Sequence, residues 1–433
     1  VPQYLKAPNA HDGDDFGSAL ALEGDMLVVT AQDEDGKGIG VDPVKEGGQA
    51  ESGAAYVFGW NGNIWKPDTY LKAPQSLLKI HFGFAASLEL PWLAVSTTDQ
   101  DGGRVHFFER TPEKWIPGPT AQPFHPEYGD DFGRFVVLRG DTLVVTAWYE
   151  SSAATGVEGE GADDGPQLDN SASHAGAAYV FERVDGAWPQ SAYLKASNTD
   201  AGDVFGCALA FDGNTIAIGA RREDSADQGT DGVGEDDGAG NSGAVYVFER
   251  FGASWVQTAY LKSSNSEAGD EFGAAVALSG DTLVVGARFE DSRYGAGELD
   301  NGAKDSGAVY VFNRVGSSWT QTAYLKASNA DPTDFFGTRV ALSGDRLAVS
   351  ATYEAGPSNG SANSGAVYLF ERDGDTWHET DYFRAPEPAQ DDFFGLDLVL
   401  DDKTLVVGAL GEDKHPDGPP KTAPDSGAAY VFR

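Results

Sequence analysis

Hydrophobic and polar positions along this chain fall into short blocks that recur. One block alternates, as in "AAVALS" at 274–279, the period of a strand with one buried face. A tight turn, "SGD" at 279–281, leads to a continuous apolar run, "TLVVGA" at 282–287, which suits a strand buried on both faces. A Gly- and Asp-rich stretch then leads to "SGAVYVF" at 306–312, and a short turn to "SWTQTAYLKA" at 318–327. Each unit predicts four short antiparallel strands. No long stretch carries apolar residues at helical spacing, and no run reaches the roughly 18 apolar residues of a membrane-spanning helix.

A Phe-Gly pair marks each unit, at 16–17, 82–83, 132–133, 205–206, 272–273, 336–337 and 394–395. Seven copies of four strands predict an all-β, seven-bladed β-propeller occupying 1–433 as one domain. The units start near 14, 80, 130, 203, 270, 334 and 392. The last unit ends at "SGAAYVFR", 426–433, one strand short, while the chain opens with an orphan fourth strand, "VPQYLKAP", 1–8. Residues 3–6 are therefore expected beside 428–432, closing the ring and protecting its edges. Trp65, Trp115, Trp188, Trp255, Trp319 and Trp377 recur at one place in the units and are expected in blade packing.

The Phe-Gly pairs and the "VGA" of "LVVGAR", 283–288, and "LVVGAL", 405–410, resemble FG-GAP repeats. That resemblance covers essentially the whole chain. It implies the seven-bladed propeller of integrin α-subunits and, in the "GDxLVVGA … SGAVYVF … W … YLKA" form, the FG-GAP proteins of bacterial surfaces. Such repeats often hold Ca²⁺ in an Asp-x-Asp-x-Asp-Gly loop between the first two strands. Here that place is a tight turn, as at 23–25, 212–214 and 343–345, without the spaced carboxylates, so the family's ion site does not carry over. Arg139-Gly140-Asp141, which spells an integrin-recognition tripeptide, occupies the same place and is expected to be an ordinary hairpin turn.

Charge narrows the partners. The 68 acids and 30 bases give a net charge of −38, which disfavours nucleic acid and anionic membrane surfaces. A cation, a basic protein or a neutral glycan fits better, and general solubility accounts for the acidity equally well. One cysteine, Cys207, excludes an internal disulfide. The sequence starts at Val1 rather than Met, as a processed or trimmed chain would.

The acids are placed as regularly as the Phe-Gly pairs. An Asp lies two residues before the Phe in six copies, at Asp14, Asp130, Asp203, Asp270, Asp334 and Asp392. A Glu lies just beyond the second strand in the same six, at Glu34, Glu150, Glu223, Glu290, Glu354 and Glu412. Strand direction puts both on one face of the disc. The long connections 31–53, 147–176, 220–243, 287–307, 351–365 and 409–427 emerge on that face with 29 acids and 9 bases. Three readings of the pairs stay open: hydrogen-bonded turn caps, with the Glu also pairing with arginines such as Arg221, Arg222 or Arg288; Ca²⁺ ligands; and a catalytic carboxylate pair. Six equivalent pairs argue against one active site. The seven histidines form no metal-ligand spacing, and no nucleophile motif or phosphate-binding loop is present.

The second unit departs from the rest. Ile80 replaces the Asp, the connection 96–108 is short, and "WIPGPTAQPF" at 115–124 lacks "YLKA". Between longer neighbours, this unit predicts a notch with Asp99, Asp101 and Arg104 on its floor and Glu34 and Glu150 toward its walls. The functional expectation is a monomeric, non-enzymatic extracellular or cell-surface module that binds a protein or glycan on its acidic face, with Ca²⁺ as a candidate ion and no cofactor required. The alternatives are a propeller enzyme of polysaccharide lyase or glycoside hydrolase type, for which the sequence offers no convergent His/Tyr/Arg set and which such a cluster at the axial mouth, Arg134 among it, would revive, and a structural spacer from a larger surface protein.

Overall fold

The alternating block after each Phe-Gly pair forms the innermost strand of a blade. A computed structural model describes residues 2–43, 51–74, 79–98, 102–159, 165–230, 232, 234, 236–356, 360–413 and 424–433. The fifth blade shows the plan: Phe272–Ser279, Thr282–Ala287, Ala308–Val315 and Ser318–Leu325 pair antiparallel in sequence order from the axis outward. The seven inner strands pack side by side around the axis, the last against the first. This is the predicted seven-bladed propeller. The closing sheet takes Gln3–Leu5 as its outer strand, with Gln3 opposite Val431, Tyr4 opposite Tyr430 and Leu5 opposite Ala429. Gln3 also exchanges side-chain hydrogen bonds of 2.7 and 2.8 Å with the backbone of Trp65 in the neighbouring blade.

The Phe-Gly pair fastens blade to blade. Its Phe is buried between sheets in all seven copies, and Phe272 meets Tyr310 and Phe312 edge to face, with centroids 5.4 and 6.0 Å apart. The register of the inner strand shifts between Phe272 and Ala275, a bulge built around Gly273 at φ +89°. Phe272 N–H donates to Ser242 O at 2.9 Å and Glu271 N–H to Asn241 O at 3.1 Å, both in the preceding blade. That seam needs Gly243, at φ +82°, because an added Cβ would lie 2.0 Å from Phe272 O.

The residue before the repeated Phe has a positive φ in every copy: Asp15, His81, Asp131, Val204, Glu271, Phe335 and Phe393. None is glycine, so the seam holds seven side chains in a sparsely populated conformation around the axis.

The six recurrent tryptophans lie buried in the blades, as expected. The Arg139-Gly140-Asp141 turn is a hairpin whose Asp141 pairs with Arg183. Two short strands were not anticipated. Gly40–Val41 and Val157–Glu158 pair with the outer strands of blades one and three, so parts of these long connections turn outward as fifth strands. Among the described residues no helix is long and apolar enough to cross a membrane.

Candidate functional site at the axial mouth

The repeated carboxylates are neighbours in the blades that carry them, with a partner missing from the sequence reading. In blade four, Lys262, directly after the outer strand Ser254–Leu261, donates from Nζ to Glu223 Oε2 at 2.8 Å and to Ser242 Oγ at 2.7 Å. Tyr260 Oη donates to Glu223 Oε1 at 2.8 Å, and Asn198, just after the preceding blade's outer strand, donates to the same oxygen at 3.1 Å. The Tyr246 hydroxyl donates to Asn198 Oδ1 at 2.7 Å. Related sets surround Glu34 with Lys72, Tyr70 and Asn9, and Glu290 with Lys326 and Asn265. Lys195 pairs with Glu150 at 2.8 Å. These are the lysines of the repeated "YLK", followed by Ala in three of the four blades, not the arginines expected. In blade six Arg384 replaces the Lys, and Glu354 instead accepts from Gly356 N–H and Tyr368 Oη at 2.8 and 3.1 Å.

In five of the six pairs, those of Asp14, Asp203, Asp270, Asp334 and Asp392, the Asp closes its turn. Asp203, Asp270 and Asp392 accept the N–H three residues back, from Asp200, Glu267 and Ala389, at 3.0, 3.3 and 2.6 Å. Burial, with the adjoining Glu290, pushes the Asp270 carboxyl up to about 8. Asp203 is pushed up to about 7 by the same burial, opposed by the Asp200 N–H and reinforced by Glu223. At Glu34, Glu150, Glu223 and Glu290 the donor set does not fit Ca²⁺. The ion needs six to eight oxygen ligands, whereas a lysine ammonium already sits on each of these carboxylates. Among the described residues no group of three or more His, Cys, Asp or Glu side chains could hold a metal. The hydrogen bonds of five of the pairs are those of the capping reading.

The notch is corrected in part. Glu34 and Glu150 are 1% and 3% exposed and tied to Lys72 and Lys195, so they line no wall. Arg104 is half-buried opposite Thr97 in a strand pair, and Gly102 lies against Pro126 and Glu127 of the following connection. Asp99 and Asp101 lie outside the described residues.

The geometry draws attention to the centre of the loop-bearing face instead. The inner strands of all seven blades line an axial cavity of about 430 Å³, with Arg134, Arg339, Asp397 and Gln32 among its polar residues. The Arg134 guanidinium carbon lies 4.0 Å from the Trp148 ring centroid and 4.7 Å from that of Phe84. Trp148 stacks on Tyr149 at 5.0 Å, and Tyr149 meets His174 at 4.6 Å. The Trp148 indole donates to Asp131 at 2.9 Å. Across the ring, Phe289, Phe335, Tyr353 and Phe393 form an edge-to-face chain at 5.0, 4.6 and 5.5 Å. Arg288 pairs with Glu271 at 2.7 Å, while Arg221 stands 3.9 Å from the same carboxylate. Arg134 was the sole residue of this group singled out for the mouth from the sequence.

The architecture and the Phe-Gly seam define a seven-bladed propeller of repeated blades. A family model described as FG-GAP repeat matches residues 3–58, 188–248, 255–312, 319–370 and 377–432, and the chain belongs to that family. The span 59–187 outside those matches contains the aberrant second blade. No curated protein matches the chain. Among solved structures, it is similar to a "putative 6-phosphogluconolactonase" from Bacteroides uniformis ATCC 8492, with TM-score 0.52, 11% identity and coverage of 90% of this chain and 91% of that one. It is also similar to a protein from Lactobacillus plantarum, with TM-score 0.52, 13% identity and coverage of 94% and 99%. At these identities the likeness is one of fold.

Proposed function

We propose that this propeller is a non-enzymatic binding module, working outside the cell or at its surface, that recognises a glycan or protein through its loop-bearing face. The observation that carries the reading is the aromatic chain Phe289, Phe335, Tyr353 and Phe393 beside the mouth. Tyr353 is 40% exposed, and the three phenylalanines are half-buried. Aromatic rings offer large, rigid contact area, and a hydroxyl or sugar face packs well on them. This favours a glycan over a protein. The repeated carboxylates, by contrast, are used inside the blades and support the platform.

The test is binding to immobilised glycan and protein arrays by the wild-type chain and by a Phe289→Ala/Tyr353→Ala variant. The reading expects a saturable glycan signal that falls at least tenfold in the variant while the melting temperature holds. Binding to neither array, or equal binding by the variant, would overturn it. The arginines at the mouth favour the propeller-enzyme alternative. Its signature would be turnover of a polysaccharide, lost in Arg134→Met.

A further inference from the structure

We propose that the axial mouth is a binding site for a small oxyanion, a carboxylate or phosphate group gripped jointly by Arg134 and Arg339. The inference goes beyond partner recognition on the rim and can fail independently of it. Two arginines face a shared cavity without a matching pair of acids. Arg134 makes no hydrogen bond and has no carboxylate within 4 Å among the described residues; it is held between the Trp148 and Phe84 rings. Ring packing covers the faces of its guanidinium and leaves the N–H edge for a ligand. Arg339 donates from Nη1 to Thr338 O at 3.1 Å and forms no ion pair among the described residues. Asp397, the acid that most favours its charge, accepts the Leu20 N–H at 2.8 Å.

The electrostatics agree with the geometry. Burial lowers Arg134 to about 10, and repulsion from Arg339 is the next cause. Arg339 is lowered mainly by burial, with Arg288 and Arg221 adding to the effect against the pull of Asp397. Arg134 and Arg339 each lie 6.0 Å from the Phe135 ring centroid, Arg221 lies 5.2 Å from that of Trp148, and Arg288 shares Glu271 with Arg221, so four guanidinium groups gather at the centre of a chain whose net charge is −38. Glu271 is shared by Arg221 and Arg288, and Asp131 is engaged by the Trp148 indole. A bound oxyanion supplies the missing negative charge and receives two planar forks of donors. The cavity of about 430 Å³ admits a small organic anion.

The experiment measures melting temperature and calorimetric heat with inorganic phosphate, acetate and citrate as separate probes, at constant ionic strength in chloride. Wild-type protein, Arg134→Met, Arg339→Met and Arg314→Gln are compared. Arg314 pairs with Glu249 and Asp281 away from the cavity and serves as the control. The proposal expects saturable stabilisation of the wild type and the control. It also expects at least a tenfold loss of affinity in each mouth variant. A response to phosphate alone identifies a phosphate site, and a response to acetate or citrate alone a carboxylate site. Wild-type protein that responds to none of the probes overturns the proposal. So does undiminished binding by both mouth variants. Should one mouth variant fail to fold, the other decides the outcome, and Trp148→Phe shows whether a ligand-dependent change in tryptophan fluorescence arises at the mouth.

Discussion

The Lys262 ammonium lies 2.8 Å from Glu223 Oε2, with the two side chains only 0% and 3% exposed. Desolvation of both ions offsets much of their attraction, so the pair is a poor source of net stability. Removing one partner is different, because it strands a buried charge. Lys262→Met is expected to cost about 3–5 kcal/mol. Lys262→Met/Glu223→Gln should recover part of that loss. Urea unfolding of the two variants beside wild type measures both effects, and a neutral single variant would contradict the network.

The Asp carboxyls give stability a pH slope of known sign. Asp270 titrates near 8 in the native state, against about 3.9 for an unperturbed Asp. Between these values the folded protein holds a proton that the unfolded chain has released. Stability therefore falls as pH rises through that window. Asp270→Asn keeps an oxygen for the Glu267 N–H and removes the titration. Its melting temperature should match wild type near pH 4 and exceed it at pH 8. Parallel melting profiles across the range would refute the assignment.

The same carboxylates predict the response to calcium. With lysine already on the Glu oxygens, millimolar Ca²⁺ should leave the melting temperature unchanged, and chelation should do the same. A saturable rise would reveal an ion site that the blade network does not provide.

The seam makes a sharper mutational prediction. In Gly243→Ala, the new Cβ must move the Phe272 carbonyl or separate two blades. A loss of about 4 kcal/mol or more is expected. Gly252→Ala, in an outer turn with nothing within 4 Å, meets no such backbone and should lose much less. Equal losses in denaturant melts would show that positive φ, not blade contact, sets the cost.

Removing residues 1–8 tests the closing strand. The edge at Ala429–Val431 would lose its partner, and Trp65 would lose the Gln3 side chain. The melting temperature should drop by several degrees; an unchanged curve would mean that the strand does not brace the ring.

The blade plan was legible because seven copies repeat the same alternation, turn and apolar run, and because the terminal blocks complete one another. The lysine partners of four Glu residues were also written in the sequence. The second unit lacks both the Asp and the "YLK" lysine, whereas "YLK" lysines accompany Glu34, Glu150, Glu223 and Glu290. That joint absence is the signal of an Asp–Glu–Lys cluster. The mouth was harder to see. Arg134 follows the Phe-Gly pair directly, Arg339 follows one position later, and Arg221 and Arg288 follow second strands. No common repeat offset joins these positions; the closed ring brings them together. Glu34 and Glu150 left the walls of the predicted notch because their carboxylates are buried within their own blades, and parts of the neighbouring connections pair with outer strands.

The residue before each Phe has one further consequence. The seam fixes its backbone through neighbouring blades, while its side chain belongs to no repeated core. Asp15, His81, Asp131, Val204, Glu271, Phe335 and Phe393 share that backbone state despite having acidic, imidazole, aliphatic and aromatic side chains. The ring thus behaves as a seven-socket turret with a standard mounting and varied fittings, each matched to what it meets: Val204 packs with Trp148 and Cys207, Asp131 holds the Trp148 indole, and Glu271 pairs with Arg288.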